Sequence, residues 1–188
     1  QEGYRVLFLE NEDPLPSTIS RIMCNLTNMN IHELHAQRAK VMPILEDRGY
    51  NNLFLKDLTP GTFHEIEGLI DKTEPHVVII NQLRNIKTKS DSRVEQMEQV
   101  ATSARNLAKK KQLVMIGVTQ AGDSGTHKLT LEINDIDFSN TGMPAQMDLI
   151  IGIGANPDFL SKNRRMISLS KNKLNSNLSF FPVGVDVA

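Results

Sequence analysis

The sequence predicts an α/β fold with a mainly parallel sheet flanked by helices. Three features point there. Short apolar runs suited to buried strands alternate with longer segments of helical apolar spacing. The clearest run, Val77, Val78, Ile79 and Ile80, is β-branched throughout. The runs also end in polar residues, which in open α/β sheets collect where ligands bind.

The elements follow in order. Residues 6–9 form an apolar run that ends in Glu10, Glu12, Asp13 and Pro14, the pattern of a buried parallel strand whose far end meets solvent. Pro14 and Pro16 suit a helix start, and Ile19, Ile22, Met23 and Leu26 give residues 17–29 a helical stripe. A second helix is expected over 36–47, kinked at Pro43 and stopped by Gly49. Residues 53–55 read as a brief strand. Residues 62–72 read as a helix with Phe63, Ile66, Leu69 and Ile70 on one face. After the strand at 77–80, a long helix is expected over 90–111, with Met97, Val100, Ala101, Ala104, Leu107 and Ala108 inward. Lys109, Lys110 and Lys111 close it where cations suit the helix dipole, and read as a helix end rather than a DNA patch. Strands are expected at 113–118, 149–153, 166–169 and 178–183, the late ones as antiparallel hairpins at one edge. Residues 122–128 form a polar, glycine-containing loop.

The 188 residues are read as one domain spanning 1–188, with 39% hydrophobic and 23% charged residues, an ordinary globular balance. A lone cysteine, Cys24, excludes an intrachain disulfide and points to a reducing compartment, hence a cytoplasmic location. No apolar run approaches the roughly 18 residues of a bilayer span, so no membrane partner is expected. The net charge of −1 makes no case for nucleic acid. Its distribution does more. Residues 1–80 carry 7 basic and 12 acidic residues, and residues 81–188 carry 14 and 10. A mildly basic second half is compatible with a phosphate backbone and equally with scattered solvated charge. The five histidines and Cys24 show no metal-ligand spacing; His32 and His35 read as a surface pair. Asn25-Leu26-Thr27 fits the glycosylation pattern but falls on an expected helix.

The strand ends carry the chemistry. Glu10, Asn11, Glu12 and Asp13 follow the first strand, and Asn81 and Gln82 the third. Thr119 and Gln120 follow the strand at 113–118, and Ser170, Lys171, Asn172 and Lys173 the one at 166–169. Gathered on one rim, a carboxylate that activates water, amides that sense phosphate and lysines that offset charge suit nucleotide hydrolysis.

These motifs resemble the RecA-type core of DnaB-like replicative helicases, phage helicases included, over nearly the whole chain. The stretch Val6-Leu7-Phe8-Leu9-Glu10-Asn11-Glu12-Asp13-Pro14 is similar to the strand that ends in the catalytic glutamate. The resemblance implies that Glu12 is the general base, with Glu10 the weaker candidate. Val77-Val78-Ile79-Ile80-Asn81-Gln82-Leu83 resembles the Walker B strand, with Asn81 where the family has aspartate. Asparagine keeps the size and can bond a metal-bound water, but lacks the charge that makes a strong magnesium ligand. This departure leaves hydrolysis in question: a natural variant, an engineered change and an inactive paralogue are all open. Asn81 and Gln82 are then the nucleotide-side residues. Val114-Met115-Ile116-Gly117-Val118-Thr119-Gln120 resembles the strand ending in the glutamine that couples the γ-phosphate to the DNA loops.

The same resemblance implies DNA-facing loops at 122–128 and 139–143, with Ser124, Thr126, Lys128, Asn140 and Thr141 as contacts. Ser168-Leu169-Ser170-Lys171-Asn172-Lys173 resembles the strand whose basic residues reach the neighbouring subunit's nucleotide. Lys171 and Lys173 are its candidates. The family commonly has arginine at the second position, and lysine there loses the planar fork. Taken together, the resemblance implies a segment of an ATP-dependent DNA helicase motor for DNA replication, in a bacterial cell or a phage-infected host. It would form a hexameric ring on single-stranded DNA and use ATP and Mg2+. A RecA- or clock-type ATPase relative and a catalytically inactive RecA-fold module are the alternatives. No Gly-x-x-x-x-Gly-Lys-Ser/Thr loop occurs in the sequence. The expectation is a partial P-loop NTPase core without its N-terminal phosphate-loop strand, inactive by itself.

Overall fold

Strand β1 (Val6–Glu10) carries Leu7 and Leu9 on one face and Phe8 and Glu10 on the other, as the period-two alternation of a strand demands. The structure, a computed structural model, describes residues 3–59, 61–137 and 142–185. Parallel pairing sets β1 between β2 (Leu53–Asp57) and β3 (Val77–Asn81), and β4 (Val114–Val118) follows in the order β2-β1-β3-β4. The register places Leu7 beside Val78 and Leu9 beside Ile80, four fully buried side chains on one face. It also places Glu10 beside Asn81, at the carboxyl end and on the opposite face.

The chain divides into two compact units. The first comprises residues 1–87 and 106–118 and holds this all-parallel sheet. Its helices are α1 (Leu15–Thr27), α2 (Ile31–Ala36), α3 (Arg38–Asp47) and α4 (Phe63–Thr73). Leu34, Val41 and Leu45 form a small core with Met23, Cys24, Leu26, Met29 and Tyr50. Helix α4 starts at a capping box: the Thr62 hydroxyl accepts from the Glu65 N–H and the Glu65 carboxylate accepts from the Thr62 N–H. Helix α5 (Arg93–Lys111) passes from one unit to the other at Arg105 and Asn106. The lysines at its end do close a helix: Lys110 bonds Glu67 at 2.7 Å, and Lys111 bonds Asp71.

The helix expected over 36–47 is α3, starting at Arg38, and a further short helix, α2, which the sequence reading did not expect, precedes it. Asn30 and Glu33 make a capping box that starts α2 earlier, and Gln37, at φ −110° and ψ 29°, ends it and precedes α3. Pro43 lies inside α3.

The second unit comprises residues 88–105 and 119–188. It holds an antiparallel sheet of β5 (Leu149–Gly154), β6 (Arg164–Asn172) and β7 (Phe180–Gly184), with the short helices α6 (Gly142–Gln146) and α7 (Pro157–Ser161). The late strands are antiparallel as expected, but form a sheet of their own rather than an edge of the parallel one. Of the α5 stripe, Met97, Val100, Ala101 and Ala104 are buried.

Candidate functional site

The carboxyl ends of β1 and β3 are laced together by side chains. Glu10 is buried, 1% exposed, and its two oxygens accept from five donor contacts. Oε1 takes the Glu12 and Asp13 N–H groups at 3.0 and 3.1 Å. Oε2 takes the Thr18 hydroxyl of α1 at 2.7 Å. Asn81 Nδ2 spans both, at 3.0 and 3.2 Å. A carboxylate accepts only, so the Asn81 atom facing it is the amide nitrogen. Burial alone raises the Glu10 pKa, but the bonds from Thr18, the two N–H groups and Asn81 outweigh it and hold the carboxyl below its ordinary value.

Asn11 ties the two turns. Its N–H donates to the Asn81 carbonyl at 2.8 Å, its Nδ2 to the Gln82 carbonyl at 3.0 Å, and its Oδ1 accepts the Gln82 N–H. Asn85 adds a bond from Nδ2 to the Asn11 carbonyl at 3.0 Å. The Asn81–Gln82 peptide is cis. Glu12 is exposed and accepts one side-chain bond, from Gln82 Nε2 at 2.7 Å. Gln82 is itself buried, and its Oε1 has no hydrogen-bond partner among the described residues. An open groove of about 540 Å³ borders this rim, lined by Phe8, Ile22, Leu26 and Leu53 as well as Glu10, Glu12, Asp13 and Asn81. Arg21 of α1 pairs with Asp13 beside it.

Gln120, Lys171 and Lys173 belong to the second unit. Gln120 is exposed, two residues past the end of β4, and its carbonyl accepts the Asp137 N–H at 3.2 Å. Lys171, at the end of β6, is half-buried and donates to the Pro144 carbonyl of α6. Lys173 reaches the Ala145 carbonyl at 3.4 Å, and Arg105 the Gln146 carbonyl. Three cations thus meet the carbonyl end of one short helix, where the helix dipole favours them. Asp148 is the carboxylate beside Arg105 and Lys173, at 3.3 and 3.9 Å. Burial, then the neighbouring Lys173 and Arg105 charges, push the Lys171 ammonium below its ordinary pKa.

The loop at 122–128 is pinned at its base. Ser124 Oγ and Lys128 Nζ each donate to Asp135 Oδ1 at 2.8 Å, and Gly122 donates its N–H to the Asp135 carbonyl. Ser124, Thr126 and Lys128 are exposed. Of the loop expected at 139–143, Asn140 and Thr141 lie outside the described residues, and Gly142 and Met143 begin α6 instead.

No protein-family model matches the chain. No curated protein matches it by sequence. Solved structures do. The ATPase domain of a DnaB-like helicase superposes with a TM-score of 0.78 at 17% identity, over 95% of this chain and 70% of that one. A DnaB-like replicative helicase, described with its interactions with primase, superposes with a TM-score of 0.79 at 17% identity, over 96% of this chain and 48% of its own length. This is the fold of a DnaB-like helicase ATPase domain.

Within that helicase fold, the structure brings together Glu10, Glu12, Asn81 and Gln82 in the first unit. Lys171 stands on a different sheet, so the four strand ends do not share a single sheet. Two residues carry more weight than their sequence positions suggested. Asn11 was one polar residue among several, and Thr18 was one position of a helical stretch. The signal for Thr18 was its place in the first turns of a helix that follows an acid-ended strand.

The rim's donor set does not fit a directly held Mg2+. A hard divalent cation takes anionic or carbonyl oxygens facing free space. Both Glu10 oxygens are already spent on N–H and O–H donors, and Asn81 turns a nitrogen to them. No group of three or more His, Cys, Asp and Glu able to hold a metal occurs among the described residues. No helix among them is long and apolar enough to cross a membrane.

Proposed function

We propose that this chain is a segment of a DNA helicase motor of the DnaB-like kind. In the assembled protein, ATP hydrolysis at subunit interfaces would drive translocation on single-stranded DNA during replication, within a hexameric ring in the cytoplasm. The observation that carries this reading is the fold likeness over 95% of the chain, joined to an acid-and-amide rim at the carboxyl ends of β1 and β3. On this reading residues 1–188 serve as one partial ATPase domain, and the nucleotide phosphates are cradled by a loop whose motif this sequence does not contain.

The roles divide by exposure. Glu12 has an accessible carboxylate, steadied by Gln82, and is assigned the general base toward water. Glu10 is saturated and acts as the anchor of the rim. Gln120 is assigned the coupling from strand end to loop. Lys171 and Lys173 are assigned the positive charge offered to a neighbouring subunit's nucleotide, and Ser124, Thr126, Lys128, Asn140 and Thr141 the contacts to DNA.

A second reading has a specific observation behind it. The Asn81–Glu10 bond favours a site that keeps the fold and the assembly but does not hydrolyse. ATP hydrolysis by the longest natural protein containing this chain, with and without single-stranded DNA, tests both. The motor reading expects DNA-stimulated turnover that Glu12→Gln lowers by roughly a hundredfold. DNA binding without turnover favours the silent reading, and loss of both sinks the helicase assignment.

A further inference from the structure

Glu10 is a buried carboxylate whose hydrogen-bond partners among the described residues are all neutral: two backbone N–H groups, the Thr18 hydroxyl and the Asn81 amide. No lysine or arginine among them bonds it. Arg21, the cation lining the groove, donates to the Thr18 hydroxyl at 3.2 Å and pairs with Asp13 instead. Only the Asn81 amide bridges both Glu10 oxygens, at 3.0 and 3.2 Å, and it reaches them from the neighbouring strand, in direct register.

We infer that the Asn81 amide stands in the place of a cation beside Glu10, so that this rim is complete without metal, and that the single exchange Asn81→Asp turns it into a divalent-cation site. The reason is charge. An aspartate at this position sets a second anion about 3 Å from the first, where the one nearby guanidinium is already paired with Asp13. The two carboxylates then need a proton or a metal ion between them. With asparagine, the same contact is an ordinary donor–acceptor bond, and an added cation would have to break it before reaching either oxygen. The inference does not depend on the helicase reading, because it concerns Mg2+ alone, with neither nucleotide nor DNA.

Thermal melts and calorimetric titration with MgCl2 decide it. The unaltered chain is expected to melt at the same temperature in EDTA and in millimolar Mg2+, and to give no binding isotherm. Asn81→Asp is expected to melt roughly 5–10 °C lower in EDTA. It should recover on adding Mg2+ and bind the ion saturably. The double variant Glu10→Gln with Asn81→Asp restores one carboxylate facing one amide, and is expected to lose the Mg2+ response again. If Asn81→Asp does not fold in EDTA, its refolding yield in Mg2+ gives the same information. The inference is overturned if the unaltered chain binds Mg2+ and Glu10→Gln abolishes that binding. It is equally overturned if Asn81→Asp shows no response to the ion, by melting or by refolding.

Discussion

Lys128 holds its ammonium 2.8 Å from the carboxylate of Asp135, which is only 2% exposed. The bond fastens the end of a polar loop to a buried anchor, and Ser124 fastens its middle to the same oxygen. The loop read from sequence as a free DNA-facing segment is therefore an exposed tip on a fixed base. Two of its proposed contacts, Ser124 and Lys128, have structural partners they would have to share with a phosphate.

The pH dependence of that anchor follows from the signs. The Glu132 N–H, then Lys128 and Ser124, hold the Asp135 carboxyl below its ordinary value of 3.8. A depressed carboxyl contributes stability above its unfolded pKa and loses it as pH falls through the folded one. The Asp135 bond in turn raises the Lys128 ammonium above 10.5, so its contribution is complete below that value and fades as pH rises through the folded one. Amide protection across 122–137 is expected to be flat between these limits and to drop in acid below the usual carboxylate range. Hydrogen exchange read at several pH values checks it. Asp135→Asn should show weakened protection at neutral pH and a much smaller acid step. An unchanged acid step in that variant would mean another group controls the loop.

Glu10 and Glu12 stand two residues apart and should separate cleanly. Glu10→Gln sets an amide against the Asn81 amide and weakens charged bonds from Thr18 and two N–H groups, and is expected to destabilise the chain by about 2 kcal/mol. Glu12 is exposed with one side-chain bond, so Glu12→Gln should change stability by less than about 0.5 kcal/mol. Urea unfolding of the two variants measures this. Equal losses would remove the distinction between anchor and accessible acid on which the role assignment rests.

This contrast also marks what the sequence could tell. Strands at Val77–Asn81 and Val114–Val118 were legible because apolar runs bounded by polar residues have few other readings, but the second was expected to be buried and instead leaves Val114, Ile116 and Val118 exposed. The rim was legible for the same reason, since strand ends are where such runs stop. Which acid is buried was not. Glu10 and Glu12 have the same chemistry and, two residues apart, would share one side of a continuing strand, so alternation does not separate them; what does is that β1 ends at Glu10 and that the Thr18 hydroxyl of α1 bonds Glu10. Helix α2 was missed because six residues are too few to show a helical period, although Asn30 and Glu33 carried a readable start signal. Lys171 was expected beyond a strand ending at Leu169 and lies within β6, which runs on to Asn172; its bond to the Pro144 carbonyl depends on α6, a five-residue helix with no periodicity to read. The separate antiparallel sheet was out of reach because hydrophobic runs do not encode which strands pair.

Two glycines give a prediction about how tightly each unit is built. A Cβ at Gly117 in β4 would lie 2.3–2.8 Å from the side chain of Leu83, and one at Gly154 in β5 would lie 2.2 and 2.6 Å from the carbonyl oxygens of Leu129 and Lys128. A leucine side chain can shift by changing rotamer, but Leu83 is buried, so the shift disturbs its packing. A backbone carbonyl cannot move without carrying the chain with it. Gly117→Ala is therefore expected to cost about 1–3 kcal/mol. Gly154→Ala should cost more, and should also loosen residues 128–131 where β5 approaches them. Chemical denaturation gives the two losses, and proteolysis near Leu129 reports the local effect. If Gly154→Ala proved the milder of the two, the close approach of that backbone to β5 would be wrong.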